Sequence, residues 1–179
     1  RPHSVIVGAM TSTFDSTGAY FASVSADNRL RIWNRASNSM QQQYIEKNHL
    51  SASCTSLAWY RPASAGAGGK RKHSSDNAAT MGLVAVGMDN GTTSVWDLQR
   101  GVVTIKLGKD QHLAAVTDVA FSADGTCVYS SSKDKDILEW DVESGEITRR
   151  IRGNKTGTSV LAVSTQTNML AAASTTVML

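Results

Sequence analysis

The sequence predicts an all-β chain built from repeated four-stranded units. Three observations carry this. First, Phe14 to Trp33 (FDSTGAYFASVSADNRLRIW) aligns without a gap on Phe121 to Trp140 (FSADGTCVYSSSKDKDILEW) at an offset of 107 residues, with Phe, Gly, two Ser, Asp and Trp coinciding. Second, three tryptophans keep a near-regular interval: Trp140 lies 44 residues after Trp96, and Trp96 lies 63 after Trp33. Third, five residues beyond each of them stands Asn38, Gly101 or Gly145. These residue types take the positive φ of a tight hairpin at little cost.

The extra length of the second repeat can be located. CTSLAW (Cys54 to Trp59) matches VTDVAF (Val116 to Phe121) at an offset of 62, whereas GLVAVGMDNGTTSVWD matches TCVYSSSKDKDILEWD at an offset of 44. An 18-residue insertion therefore separates the first and second strands of this repeat, in its Gly/Ala/Ser/Lys-rich stretch. With it subtracted, the first Trp interval becomes 45 residues. A period of 44 to 45 is that of a four-stranded propeller blade.

Each strand follows from its pattern. VTDVAF is a short apolar inner strand, SADG a turn, CVYSSS a second strand, and KDKD a turn into ILEWD, the third. EITRRIR alternates apolar and polar residues, as a half-solvated outer strand should. VVTIKL does the same, with Val103, Ile105 and Leu107 on one face and Thr104 and Lys106 on the other. The boundaries predicted are blade one at about 1–47, blade two at about 48–109 with a flexible basic insertion at about 61–80, blade three at about 110–153, and the start of blade four at 154–179. About three and a half blades cannot close a ring without exposing long sheet edges. The expectation is the N-terminal portion of a larger propeller, and the absence of an initial Met suits a fragment.

Composition narrows the function classes. The 179 residues are 41% hydrophobic and 18% charged, with mean hydropathy −0.22 and two prolines, which argues against a disordered chain. No window approaches eighteen consecutive apolar residues, so no membrane-spanning helix is expected. RPHSVIVGAM lacks the order of a signal peptide. Cys54 and Cys127 form no CxxC pair, which points to a reduced intracellular compartment. The net charge of +3 belongs to the stretch 61–80 alone; outside it, 14 basic residues face 14 acidic ones.

These signatures resemble WD40 repeats. In that family a His before the inner strand, a Ser or Thr on the second strand, an Asp in the next turn and the Trp form a buried hydrogen-bonded set. By that resemblance, repeat three supplies His112, Ser130 or Ser132, Asp134 and Trp140. Repeat two supplies His49 and Trp96 with Asp89 or Asn90. Repeat one supplies Asp27 and Trp33, with His3 as a partner. Trp-Asp itself occurs at Trp96-Asp97 and Trp140-Asp141, with Trp33-Asn34 in repeat one; repeat four has Thr175 and Thr176 in place of the turn Asp.

A narrower resemblance rests on YFASVSADNRLRIW, on His49-Leu50-Ser51 leading to Cys54-Thr55 and Leu57-Ala58-Trp59, on the basic insertion, and on Glu139-Trp140. These are similar to the U three protein five family of t-UTP (UTP-A) WD40 proteins. The resemblance implies a nucleolar, nuclear scaffold of the small-subunit processome. Its implied partners are other t-UTP propeller proteins, the U-three small nucleolar RNP and the 5′ external transcribed spacer of pre-ribosomal RNA. It implies no cofactor, no membrane and no small-molecule substrate.

Other candidates weigh less. Lys70-Arg71-Lys72 could contact RNA phosphates or serve nuclear import, against the simpler reading of a solvated loop. GAGGK fails as a phosphate loop, since Arg71 stands where a Ser or Thr is needed. His3, His49, His73 and His112 are too scattered for a metal set. A catalytic set of Ser130, His112 and Asp134 can be imagined, but the repeat architecture already accounts for those residues. Asn90-Gly91-Thr92 reads as a hairpin turn, not a glycosylation site. Arg149, Arg150, Arg152 and Lys155 read as charges protecting a strand edge. No basic-aromatic platform for stacking bases emerges. The leading expectation is a non-catalytic scaffold acting in pre-rRNA (18S) processing. The competitor is a peptide-binding adaptor such as a ubiquitin-ligase substrate receptor, whose Trp-Asp-x-Arg ending is missing after Trp96 and Trp140.

Overall fold

The computed structural model describes residues 9–44, 52–62, 81–107, 112–152, 157–173 and 177–178. All regular structure among them is strand. The first sheet runs β1 (Ala9–Phe14), β2 (Tyr20–Ser25), β3 (Leu30–Asn34), β4 (Ser39–Tyr44). The second runs β5 (Cys54–Tyr60), β6 (Leu83–Met88), β7 (Thr93–Asp97), β8 (Val102–Leu107). The third runs β9 (Val116–Phe121), β10 (Cys127–Ser132), β11 (Ile137–Asp141), β12 (Ile147–Ile151). A fourth has β13 (Val160–Val163), β14 (Leu170–Ala173) and β15 (Val177–Met178). Each is an antiparallel meander in chain order, and first strands lie beside first strands. This is a partial propeller of four-stranded blades.

The blades repeat down to their irregularities. The register of the first strand pair slips at Met10, at Thr55 and at Thr117, so each of the first three blades carries a bulge at the same place. A second slip lies opposite the step into Trp33, Trp96 and Trp140, where Gln41, Thr104 and Thr148 are the extra residues of the fourth strands. A bulge adds twist to its strand, so three blades share one curvature device. Asn38, Gly101 and Gly145 follow with φ of 50°, 68° and 73°, the hairpin conformation their chemistry allows. The insertion of the second blade lies between β5 and β6, with residues 63–80 outside the described ones.

Period-2 alternation gives each blade two faces, and each face is buried against a neighbour. Ala22, Val24, Leu30 and Ile32 of blade one pack on Leu57, Val84, Val86 and Trp96 of blade two. Ala85 and Val95, on the other side of blade two, pack on Val119, Val128, Leu138 and Trp140. Tyr129 and Ile137 then meet Leu161 and Ala172 of blade four. Each fully buried aliphatic side chain contributes roughly 1.5–3 kcal/mol, so the seams are where the disc is held.

The tryptophans occupy one register position. Phe14–Phe21–Trp33, Trp59–Val84–Trp96 and Phe121–Val128–Trp140 are equivalent cross-strand rows. Trp96 and Trp140 are 6% and 1% exposed because the preceding blade covers them. Trp33 is only half-buried and Phe14 is exposed, since no described blade precedes theirs. Phe21 stacks on Trp33 at 5.9 Å instead.

Candidate functional site

The one cluster among the described residues that joins a His, a Ser, an Asp and a Trp sits in blade three. The strand pleat turns Ser130 of β10 and Trp140 of β11 toward the same face, and the indole N–H donates to Ser130 Oγ at 2.8 Å. Ser130 in turn donates to His112 Nε2 at 2.9 Å. His112 Nδ1–H donates to the Asp134 carboxylate, at 2.9 Å and 3.1 Å to its two oxygens. This assignment of protons is the one that satisfies every member. Asp134 also accepts the backbone N–H groups of Leu113 at 2.8 Å and Asp136 at 3.0 Å. Burial alone would raise the Asp134 carboxyl, but those N–H donors and the His112 ring hold it below the ordinary Asp value.

The order Asp–His–Ser is that of a hydrolase relay, and burial decides against it here. Ser130 is 0% exposed and the His112 side chain is likewise sealed. The Ser130 oxygen is already engaged by Trp140. A substrate carbonyl cannot reach it, so the set satisfies buried polar groups and ties the loop before β9 to the β10–β11 turn. Ser132, the other sequence candidate, does a different job: its hydroxyl donates to Ala114 O at 2.9 Å and accepts Asp134 N–H at 3.1 Å.

Among the described residues, repeat one shows the Trp–Ser half of the set. Trp33 Nε1 donates to Ser23 Oγ at 2.9 Å, the Trp140–Ser130 bond repeated. Asp27, however, is held by the Arg31 guanidinium, with Nη1 at 3.0 Å, and by Arg29 N–H at 3.2 Å. The Arg31 bond above all brings its carboxyl down to about 2. Here the turn Asp forms an ion pair with Arg31. His3 and His49 lie outside the described residues.

Repeat two departs from the expectation. Val86 stands at the register position of Ser23 and Ser130, so Trp96 has no second-strand hydroxyl to meet. Asp89 is not the counterpart of Asp134 but of Lys133, one residue earlier: Asp89 N–H donates to Ser53 O as Lys133 N–H does to Ala115 O. Its carboxylate accepts Ser53 N–H at 2.9 Å. Asn90, the true counterpart, serves its own turn by accepting Thr92 N–H at 3.1 Å. Ser94 Oγ is buried without a hydrogen-bond partner among the described residues.

Two contacts that sequence reading missed cross the seams. Arg61, grouped with the basic insertion on sequence, belongs to the fold: its guanidinium pairs with the buried Asp15 at 2.6 Å and lies over Tyr20. Burial pushes the Asp15 carboxyl up, but Thr17, Tyr20 N–H and Arg61 outweigh it and leave it lowered. Asp118 of β9 accepts Leu161 N–H of blade four at 2.7 Å. Burial raises its carboxyl, and the Leu161 and Val119 N–H groups offset that only in part. Neither pairing has a local motif. Arg150 pairs with Asp136 at 2.6 Å, whereas Arg149 is exposed.

The described residues hold no group of three or more His, Cys, Asp and Glu able to bind a metal ion. The first strands line a concavity of about 340 Å³ bordered by Thr13, Trp59, Arg61 and Phe121. Lys70, Arg71 and Lys72 lie outside the described residues, as does Lys155.

Known proteins bear on this geometry. The family model for the WD domain, G-beta repeat, matches residues 1–34 and 104–141. Human WD repeat-containing protein 43 is 34% identical over 90% of this chain, which spans 24% of that protein. Human WD repeat and SOCS box-containing protein 1 is 32% identical over 49% of the chain and 21% of its own length. Eukaryotic translation initiation factor 3 subunit I of Drosophila ananassae is 36% identical over 34% of the chain and 19% of its own. The chain thus spans about a quarter or less of each relative. It is a WD40-repeat protein, similar to WD repeat-containing protein 43.

Proposed function

We propose that this WD40-repeat protein is a non-catalytic scaffold in ribosome biogenesis: a nucleolar t-UTP (UTP-A) subunit of the small-subunit processome, acting in early assembly on the 5′ external transcribed spacer and in 18S rRNA processing. The observation that carries the reading is the likeness to WD repeat-containing protein 43, which runs through 90% of the chain and through all the blades. The geometry suits a scaffold. The one relay-like cluster among the described residues is sealed inside a blade, and a stack of rigid wedges presents faces and a rim to several partners at once. The partners proposed are other t-UTP propeller proteins, the U-three small nucleolar RNP, and pre-ribosomal RNA bound directly or through them.

The competing reading is a peptide-binding adaptor such as a ubiquitin-ligase substrate receptor. The match to WD repeat and SOCS box-containing protein 1 favours it but covers only half of the chain. Depletion separates the two. A scaffold of pre-rRNA processing leaves 18S precursors accumulating and a tagged copy in nucleoli. Normal precursors with the tag excluded from nucleoli overturn the proposal.

A further inference from the structure

We propose that the turn carrying Lys133 and Lys135, together with Leu113, is a docking surface for an acidic peptide segment bearing one large apolar side chain. Lys135 is the first observation. It holds φ of 78°, while every other positive-φ residue described is Gly or Asn. Its counterparts in blades one and two are Asn28 and Gly91, at 54° and 85°. A long β-methylene side chain is strained in this region, and strain of this kind collects at functional positions.

The charges around it are unevenly spent. Asp134, between the two lysines, faces inward to His112, and Asp136 is engaged by Arg150 at 2.6 Å. Lys133 and Lys135 are exposed, with no carboxylate partner among the described residues. Leu113 stands 94% exposed beside them. Its backbone is nonetheless fixed, since its N–H donates to Asp134 at 2.8 Å while Lys133 N–H donates to Ala115 O at 3.0 Å. An ordered apolar knob beside two ammonium groups that meet no carboxylate among the described residues complements carboxylates around an apolar anchor. Nucleic acid fits less well, because the patch has no aromatic ring to stack a base and the leucine has no partner on a phosphate. This surface is independent of which assembly holds the protein.

The test uses the full-length protein and an immobilised library of acidic peptides of about a dozen residues, each with one Leu, Phe or Trp. The expected result is capture that weakens with salt and falls about tenfold in Lys135→Gly and in Leu113→Ser. Lys135→Gly should at the same time melt higher than the parent, which excludes misfolding as the cause. No capture, equal capture by Lys135→Gly, equal capture when the apolar residue of the peptide is Ser, or tighter binding of a single-stranded RNA of similar length would each overturn the proposal.

Discussion

Trp140 Nε1 donates to Ser130 Oγ at 2.8 Å, and 107 residues earlier Trp33 Nε1 donates to Ser23 Oγ at 2.9 Å. The bonds are alike but their described surroundings differ. Ser130 also carries His112, whereas no imidazole meets Ser23 among the described residues. Ser130→Ala leaves a buried indole N–H and a buried imidazole nitrogen unpaired, and should cost about 1–3 kcal/mol. Ser23→Ala, beside a half-buried Trp33, should cost about 0.5–1.5 kcal/mol. Urea midpoints of the two variants measure the difference.

Seam position sets the cost of removing a tryptophan. Trp140 is 1% exposed and packed by blade two. Trp140→Ala should cost about 3–5 kcal/mol by cavity formation. Trp33→Ala should cost clearly less, because its outer face has no described blade against it. Equal costs by denaturant titration would contradict the seam assignment.

Acid should loosen the chain, and the direction follows from the carboxylates. Asp134 and Asp15 titrate below the ordinary value of 3.8 in the folded chain. Their ionised forms therefore favour folding. That contribution is complete above 3.8 and is lost as pH falls through their lower folded values. Asp118 is raised, so its ionised form opposes folding above its folded value and ceases to do so below 3.8. Asp134→Asn should flatten the acid limb of a stability-versus-pH series. Asp118→Asn keeps an acceptor for Leu161 N–H and should hold or raise stability at neutral pH.

Gly125 sits at φ of 74° in the β9–β10 turn, and a Cβ there would overlap the Tyr60 ring of blade two. Tyr60 also meets Phe121 at 5.7 Å. Gly125→Ala should therefore cost at least about 2 kcal/mol, from backbone strain and overpacking together. In a Tyr60→Ala background the cost should shrink to the backbone part. Calorimetric melting of the four proteins in this cycle gives the coupling.

The repeat was legible because it is written in strong letters: Trp at a fixed interval, a positive-φ residue five places on, and alternation between them. The departures were not. Asp89 and Asn90 are adjacent turn residues, and only the ladder register shows which one faces the site of Asp134. Asp27 accepts Arg31, four residues away, as readily as it would a His. Arg61 reads as part of a basic stretch until the fold brings Asp15 within 2.6 Å, across 46 positions of sequence. The bulges at Met10, Thr55 and Thr117 leave no compositional mark, since a bulge is a property of pairing and not of one residue.

That blade two is an ordinary wedge interrupted between β5 and β6 is tested most directly by removing residues 63–79 and measuring the melting temperature. The seams on either side, Ile32 to Val84 and Val95 to Val128, are built from strand residues on both sides of the insertion. Loop length changes stability only slowly. The deleted protein should melt within a few degrees of the parent and unfold in one transition. A large fall in melting temperature, or loss of the cooperative transition, would mean that the segment is part of the blade and that the three repeats are not equivalent.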